Sequence, residues 1–241
     1  QEAAEIRLAY GEDVRELDAD DASELSYYRH PRDRFELGSG THVLHSRGRR
    51  AFRFVRLAMR TVGGAAWLDS VGMWSVHHPV AERGSFHSAD PVLDRSYALS
   101  ANTVLRCMQR FHEDGVKRDG LLWIGDARVE CLGGYLAFGD HALARRSLRM
   151  MADSQSADGS LPACSARGGG HQHPDVIDYM PAVVDGVEGW ILDNYCTDFI
   201  GMLLEYGRYS GDLETVASLM PVARRVAGYL ASRFQQERDP D

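Results

Sequence analysis

Phe138-Gly139-Asp140-His141 and Ser210-Gly211-Asp212-Leu213 share one design. In each, an apolar helical pattern runs up to a glycine, and an aspartate follows. Glycine takes the left-handed conformation that ends a helix at little cost. A carboxylate next to it accepts hydrogen bonds from the open N–H groups of a following helix. A two-residue joint of this kind makes a tight antiparallel helix pair. The two glycines lie 72 residues apart. That repetition predicts helical hairpins stacked as a solenoid or a closed toroid, with the longer connections collected on one face, where a site can form.

The helical pattern begins at Asp90-Pro91, an N-cap followed by proline at the first helical position. Leu93, Tyr97, Ala101, Val104, Leu105, Met108 and Phe111 then recur at three- and four-residue steps. This spacing predicts one buried stripe that stops at Asp114-Gly115. Further helices are expected at 127–138, 141–153, 195–209 and 213–234. The longest connection, from Ser154 to Asp193, holds Gly168-Gly169-Gly170-His171-Gln172-His173-Pro174, together with Asp175, Asp178, Asp185, Glu188 and Trp190. A loop of that length in a compact helical domain is usually functional.

Residues 1–88 read differently. Ile6-Arg7-Leu8-Ala9-Tyr10 alternates, as do Phe52-Arg53-Phe54 and Arg56-Leu57-Ala58-Met59, with a slip at Val55 that suggests a bulge. Short apolar runs at Thr41–Leu44 and Met73–Val76 add further strands between glycine and serine breaks. The pattern predicts part of a β-sandwich at 1–88, followed by the helical domain at 89–241, an α+β chain of two domains.

Composition sets the class. The chain has 241 residues, 44% hydrophobic and 26% charged, which excludes disorder and disulfide scaffolds. A net charge of −8 leaves no fold-wide basic field for nucleic acid. No apolar run approaches the roughly 20 residues that span a membrane. Four widely spaced cysteines (107, 131, 164 and 196) with no CxxC read as reduced, buried thiols of a cytoplasmic protein. No dinucleotide, P-loop or GxSxG fingerprint occurs, so no cofactor is expected. His171, His173 and Asp175 form the one weak metal-like set, and the reading is that no metal binds.

The chemistry-bearing stretch is Asp114-Gly115-Val116-Lys117-Arg118-Asp119-Gly120-Leu121-Leu122-Trp123-Ile124-Gly125-Asp126. Carboxylates, cations and a tryptophan meet where a hairpin tip belongs. Sugar hydrolysis uses such a mixture: a protonated acid for the leaving oxygen, carboxylates that grip hydroxyls, and an aromatic face for the C–H side of the ring. The plain alternative is a solvated turn with Asp126 as an N-cap and Trp123 as a buried anchor.

This stretch resembles the signature of the inverting α-L-rhamnosidase family of glycoside hydrolases, in which an (α/α)6 toroid follows β-sandwich modules. Asp114, Arg118, Asp119, Trp123, Gly125 and Asp126 stand at the family's spacing. Ala51–Leu57, Gly84–Asp90, Ser154–Pro162 and Tyr195–Asp212 are similar to flanking segments of that family and come in the same order. The resemblance implies Asp119 as general acid, Asp114 and Asp126 as hydroxyl ligands, Trp123 as the subsite aromatic and Arg118 as the residue that tunes or orients the acid. It also implies Tyr195 as an aromatic wall, with Asp193 or Asp198 as a further hydroxyl ligand. Asp119 replaces the family's Glu and is one methylene shorter; Gly120 and Leu122 also depart from the pattern.

The substrate implied is a rhamnose-containing glycoside or a related deoxy-sugar or uronyl linkage. A six-hairpin uronyl hydrolase or lyase, with Lys117 and Arg118 on the carboxylate, is a second reading. A non-catalytic carbohydrate-binding or scaffold module is a third. Some 150 residues hold five to seven helices, against the twelve of a closed toroid, so the sequence reads as the end of a sandwich plus the first half of a toroid. The catalytic base is expected on a later hairpin. On this reading the 241-residue chain is inactive alone, and measurable glycosidase turnover by it contradicts the expectation.

Overall fold

The computed structural model describes residues 3–18, 32–46, 48–117, 120–165 and 190–238. The chain divides into two compact units. Among the described residues, one unit holds those up to 75 and the other those from 76 onward.

The first unit is built on a three-stranded antiparallel sheet with β1 (Ala3–Gly11) between β2 (Arg32–Leu37) and β3 (Phe54–Val62). Ile6 faces Phe35 on one side and Met59 on the other. Pairing runs without interruption through Tyr10 and Val55, so the expected bulge at Val55 is absent. A buried carboxylate sits in this sheet. Asp33 accepts from Tyr10 Oη at 3.0 Å and pairs with Arg50 at 3.0 Å. Burial, then Asp33, pushes the Tyr10 hydroxyl well above its usual range.

The expected strands at Thr41–Leu44 and Met73–Val76 are not formed. Val43 is 81% and Trp74 84% exposed. These apolar runs have no ladder partner among the described residues, so β propensity alone does not make them strands.

The second unit is helical. α1 (Pro91–Cys107) starts where Asp90 Oδ1 accepts from the Val92 N–H at 2.8 Å. It ends at Cys107, short of the expected Asp114. Met108 turns extended, and the chain folds back through a Met108–His112 bridge and the Glu113 N–H to Cys107 carbonyl bond. The predicted stripe is therefore split. Met108 and Phe111 are buried from the turn rather than the helix, while Leu93 is exposed.

α2 (Ile124–Phe138) buries Ile124, Ala127, Cys131, Tyr135, Ala137 and Phe138, so it is covered on several sides rather than along one stripe. α3 (Ala142–Asp153), α4 (Asp193–Ser210) and α5 (Leu213–Arg238) complete the unit. α2 packs on α4 and α4 on α5, around Phe111, Leu122, Leu148, Phe199, Met202 and Tyr206. No helix among the described residues is long and apolar enough to cross a membrane.

Both joints form as their sequence predicts. Gly139 (φ 61°) closes α2, and Gly211 (φ 70°) closes α4. Asp140 Oδ2 accepts from the Leu143 N–H, and Asp212 Oδ1 from the Thr215 N–H, each at 3.0 Å. Asp140→Ala removes a half-buried cap and leaves the first turn of α3 with open donors. The expected loss is about 1–2 kcal/mol of stability, read as a lower urea midpoint at unchanged m-value; an unchanged midpoint contradicts it.

Candidate active site

The segment before α2 is fixed at both ends. The Asp114 N–H donates to the Leu121 carbonyl at 3.0 Å, and the Leu121 N–H donates to Asp114 Oδ1 at 3.2 Å. The Gly120 N–H donates to the Gly115 carbonyl at 2.9 Å, with Gly120 at φ 60°. The left-handed conformation accounts for glycine at 120. Asp119 and Arg118, the expected acid and its orienting residue, lie outside the described residues.

Trp123 is set by a backbone ladder. The Ser165 N–H donates to the Leu122 carbonyl, the Ile124 N–H to Ala163, and the Ala163 N–H to Trp190 at 2.7 Å. Trp123 and Cys164 form an antiparallel bridge, with Leu121 and Cys164 buried beneath the indole. Three distant stretches of chain are thus laced together.

The ladder gathers three rings. Trp123 meets the edge of Tyr195 at 6.4 Å between centroids and 87° between planes, and Trp190 at 6.4 Å and 53°. Both separations lie in the favourable range for aromatic pairs. Tyr195, in the first turn of α4, donates from Oη to Asp126 Oδ2 at 3.1 Å. Burial, then the charge of Asp126, with smaller effects of Asp198 and Asp114, raises the Tyr195 hydroxyl above its ordinary value and keeps it a donor. Asp126 itself is exposed in the first turn of α2, where a negative charge is favoured by the helix dipole.

Gly125 is required by packing. A Cβ there would stand 2.5 Å from Tyr195 Cε1. The Gly-Asp pair thus serves twice: glycine admits the ring, and the aspartate binds its hydroxyl.

The structure brings together Trp123, Asp126 and Tyr195, with Asp114 within electrostatic reach. The other acids considered at α4 hold structural partners. Asp193 accepts from Tyr229 Oη at 3.0 Å. Asp198 accepts from Arg128 Nη1 at 2.7 Å, and Glu205 takes the remainder of that guanidinium. The Asp158–Pro162 stretch is a structural lock. Gly159 (φ 94°) lies under the Arg225 carbonyl, and Gln155 Nε2 donates to Gly159 and Val222 carbonyls.

Trp190 is the residue the sequence reading left without a role. It is 53% exposed and reaches the cluster through Ala163. Its only local signal was an aromatic at the end of a long polar connection. His171, His173 and Asp175 lie outside the described residues. Among those described, no cluster of three His, Cys, Asp or Glu residues could hold a metal ion.

Residues 81–184 match the family model described as the bacterial alpha-L-rhamnosidase 6 hairpin glycosidase domain. Comparison with curated proteins gives no match. Among solved structures, a rhamnosidase from Klebsiella oxytoca with rhamnose bound is 21% identical, with a TM-score of 0.68 over 96% of this chain and 43% of that one. The GH78 family rhamnosidase of Bacillus sp. GL1 is 18% identical, with a TM-score of 0.62 over 93% of this chain and 22% of that one. The chain spans less than half the length of either, and the likeness shows a shared fold.

Gly125→Ala tests the packing. At the second residue of α2 alanine is otherwise well suited to a helix. Here the methyl displaces the Tyr195 ring from Asp126. With ¹³Cζ-tyrosine NMR, the Tyr195 hydroxyl is expected to titrate closer to about 10, the ordinary tyrosine value. A titration identical to that of the unaltered protein contradicts the assignment.

Proposed function

We propose that the chain, whose residues 81–184 match the bacterial alpha-L-rhamnosidase 6 hairpin glycosidase domain model, is the rhamnose-binding part of an α-L-rhamnosidase-like glycoside hydrolase. On this reading the helical unit is the first half of an (α/α)6 toroid, and the three-stranded sheet is the end of a β-sandwich. The domain boundary is placed near residue 88. The observation that carries the reading is the corner of Trp123, Trp190 and Tyr195 with Asp126 at its edge. The bound rhamnose of the K. oxytoca structure supports the sugar.

In this proposal, Trp123 and Trp190 cover the C–H face and the methyl group of the deoxy-sugar. Asp126, oriented by Tyr195, and Asp114 accept from hydroxyls. Those charge-assisted bonds are about twice as strong as neutral ones. Asp119, in the connection that Gly115 and Gly120 close, donates its proton to the glycosidic oxygen, and Arg118 orients it. An inverting reaction then needs a base carboxylate about 6.5–9.5 Å from the acid; we assign that role to no residue of this chain. No cofactor enters the scheme. The four buried, widely spaced cysteines support a cytoplasmic location.

The shorter Asp119 favours one further reading, a sugar-binding module without turnover. A shift of about 1 Å in a catalytic group costs on the order of a hundredfold in rate. Two measurements separate the readings, the first on this chain and the second on a protein that carries this sequence together with a base-bearing hairpin. Asp126→Asn is expected to weaken L-rhamnose binding at least tenfold by calorimetry, and undiminished binding removes Asp126 from the site. Asp119→Asn is expected to lower hydrolysis of 4-nitrophenyl α-L-rhamnoside by a factor of about 10²–10⁴. Unchanged turnover removes Asp119 as the acid, and binding without turnover by the unaltered protein supports the module.

A further inference from the structure

Two buried ionisable groups behind the site have no part in the proposed chemistry. His112 is 1% exposed and Glu130 side-chain exposure is 14%; His112 Nδ1 stands 3.6 Å from Glu130 Oε2. Both atoms are fully enclosed, and neither has a hydrogen-bond partner among the described residues. Two polar atoms orphaned in this way carry a large desolvation cost unless they compensate each other.

Their placement gives the contact a consequence. His112 lies two residues before Asp114, in the turn that replaces the end of α1. Its N–H donates to Ser147 Oγ of α3. Glu130 lies one helical turn after Asp126 on α2, so the two share a face. We propose that His112 and Glu130 form a buried ion pair that acts as the positioning element of the site, tying the Asp114 turn to the helix that carries Asp126. The pair stands on its own geometry; its importance for sugar binding rests on the function proposed above.

The surrounding groups agree. Burial opposes charging of the imidazole. Cys131 and Glu130 on α2 outweigh it and raise His112 to about 10. Burial is also the largest effect on the Glu130 carboxyl and raises it, with Asp126 adding to the rise and His112 and Cys107 opposing it. From α1, Cys107 is pushed up to about 12 by burial, then by Glu130, Glu113 and Asp114, so it faces the pair as a neutral thiol. The carboxylate that faces a cation at His112 is Glu130, while Glu113 and Asp114 act on Cys107 and Asp126 acts on Glu130. Because the folded imidazole lies above its unfolded value, its contribution to stability is complete below about pH 6.5. It is lost as pH rises through about 10.

The test uses the full chain. Long-range ¹H–¹⁵N spectra at pH 8 are expected to show His112 protonated on both nitrogens, where an ordinary imidazole of pKa about 6.5 is neutral. A neutral ring overturns the ion pair. The positioning role is read from the Leu121 amide, which is bound to Asp114 Oδ1. In Glu130→Gln its hydrogen exchange is expected to rise at least tenfold, while the Gly211 amide, in the distant α4–α5 joint, keeps its rate. Should Glu130→Gln not fold, the double variant His112→Gln/Glu130→Gln, which buries no charge, is expected to show the same loss of protection. Unchanged Leu121 exchange in a folded variant overturns positioning. Failure of the unaltered protein to bind L-rhamnose overturns the proposed function alone, since neither readout uses the sugar.

Discussion

The site depends on Ala163. Its carbonyl accepts from Ile124 at the start of α2, and its N–H donates to the Trp190 carbonyl just before α4. One residue therefore fixes the starting points of the two helices that carry Asp126 and Tyr195. The constraint is strict because Ala163 is fully buried: an enclosed backbone group must find a partner or incur a heavy cost. With the two helix starts fixed, the Trp123 ring, the Tyr195 ring and the Gly125 gap fall into register.

Charge is apportioned with similar economy. Several carboxylates of the helical unit hold structural partners: Asp140 and Asp212 cap helices, Asp193 holds Tyr229, and Asp198 with Glu205 holds Arg128. Asp126 differs. It is exposed and engaged by a tyrosine, a neutral donor, so its negative charge is not cancelled by a cation in that contact. Such a carboxylate keeps acceptor capacity for hydroxyls. Behind it, the His112–Glu130 pair would anchor the helix from within the protein.

The sequence was legible where a residue's role is local. Gly139-Asp140 and Gly211-Asp212 announce both joints because capping involves only the next few residues. Asp90-Pro91 marks the start of α1 for the same reason. The end of α1 was not legible. Met108 and Phe111 keep the helical spacing, yet the chain turns at Cys107 and buries them from the other side, so periodicity carries over a break. Thr41–Leu44 and Met73–Val76 look like strands because apolar runs resemble one another until a pairing partner is known. Asp114, Trp123, Asp126 and Tyr195 were singled out from spacing and resemblance, and the structure brings Trp123, Asp126 and Tyr195 together. Trp190 was missed because its place is set by a hydrogen bond to Ala163, a contact 27 residues away in sequence. His112 and Glu130 were missed because burial, which no local pattern revealed, gives them their character.

The four tryptophans offer the most direct check of the account. Trp67 and Trp74 lie in the first unit, whereas Trp123 and Trp190 line the proposed site. Indole N–H signals in a ¹H–¹⁵N spectrum, followed as L-rhamnose is added, separate the two pairs. The account predicts saturable shifts of Trp123 and Trp190, with Trp67 and Trp74 unmoved. A Trp123 signal that stays in place at saturating sugar contradicts it.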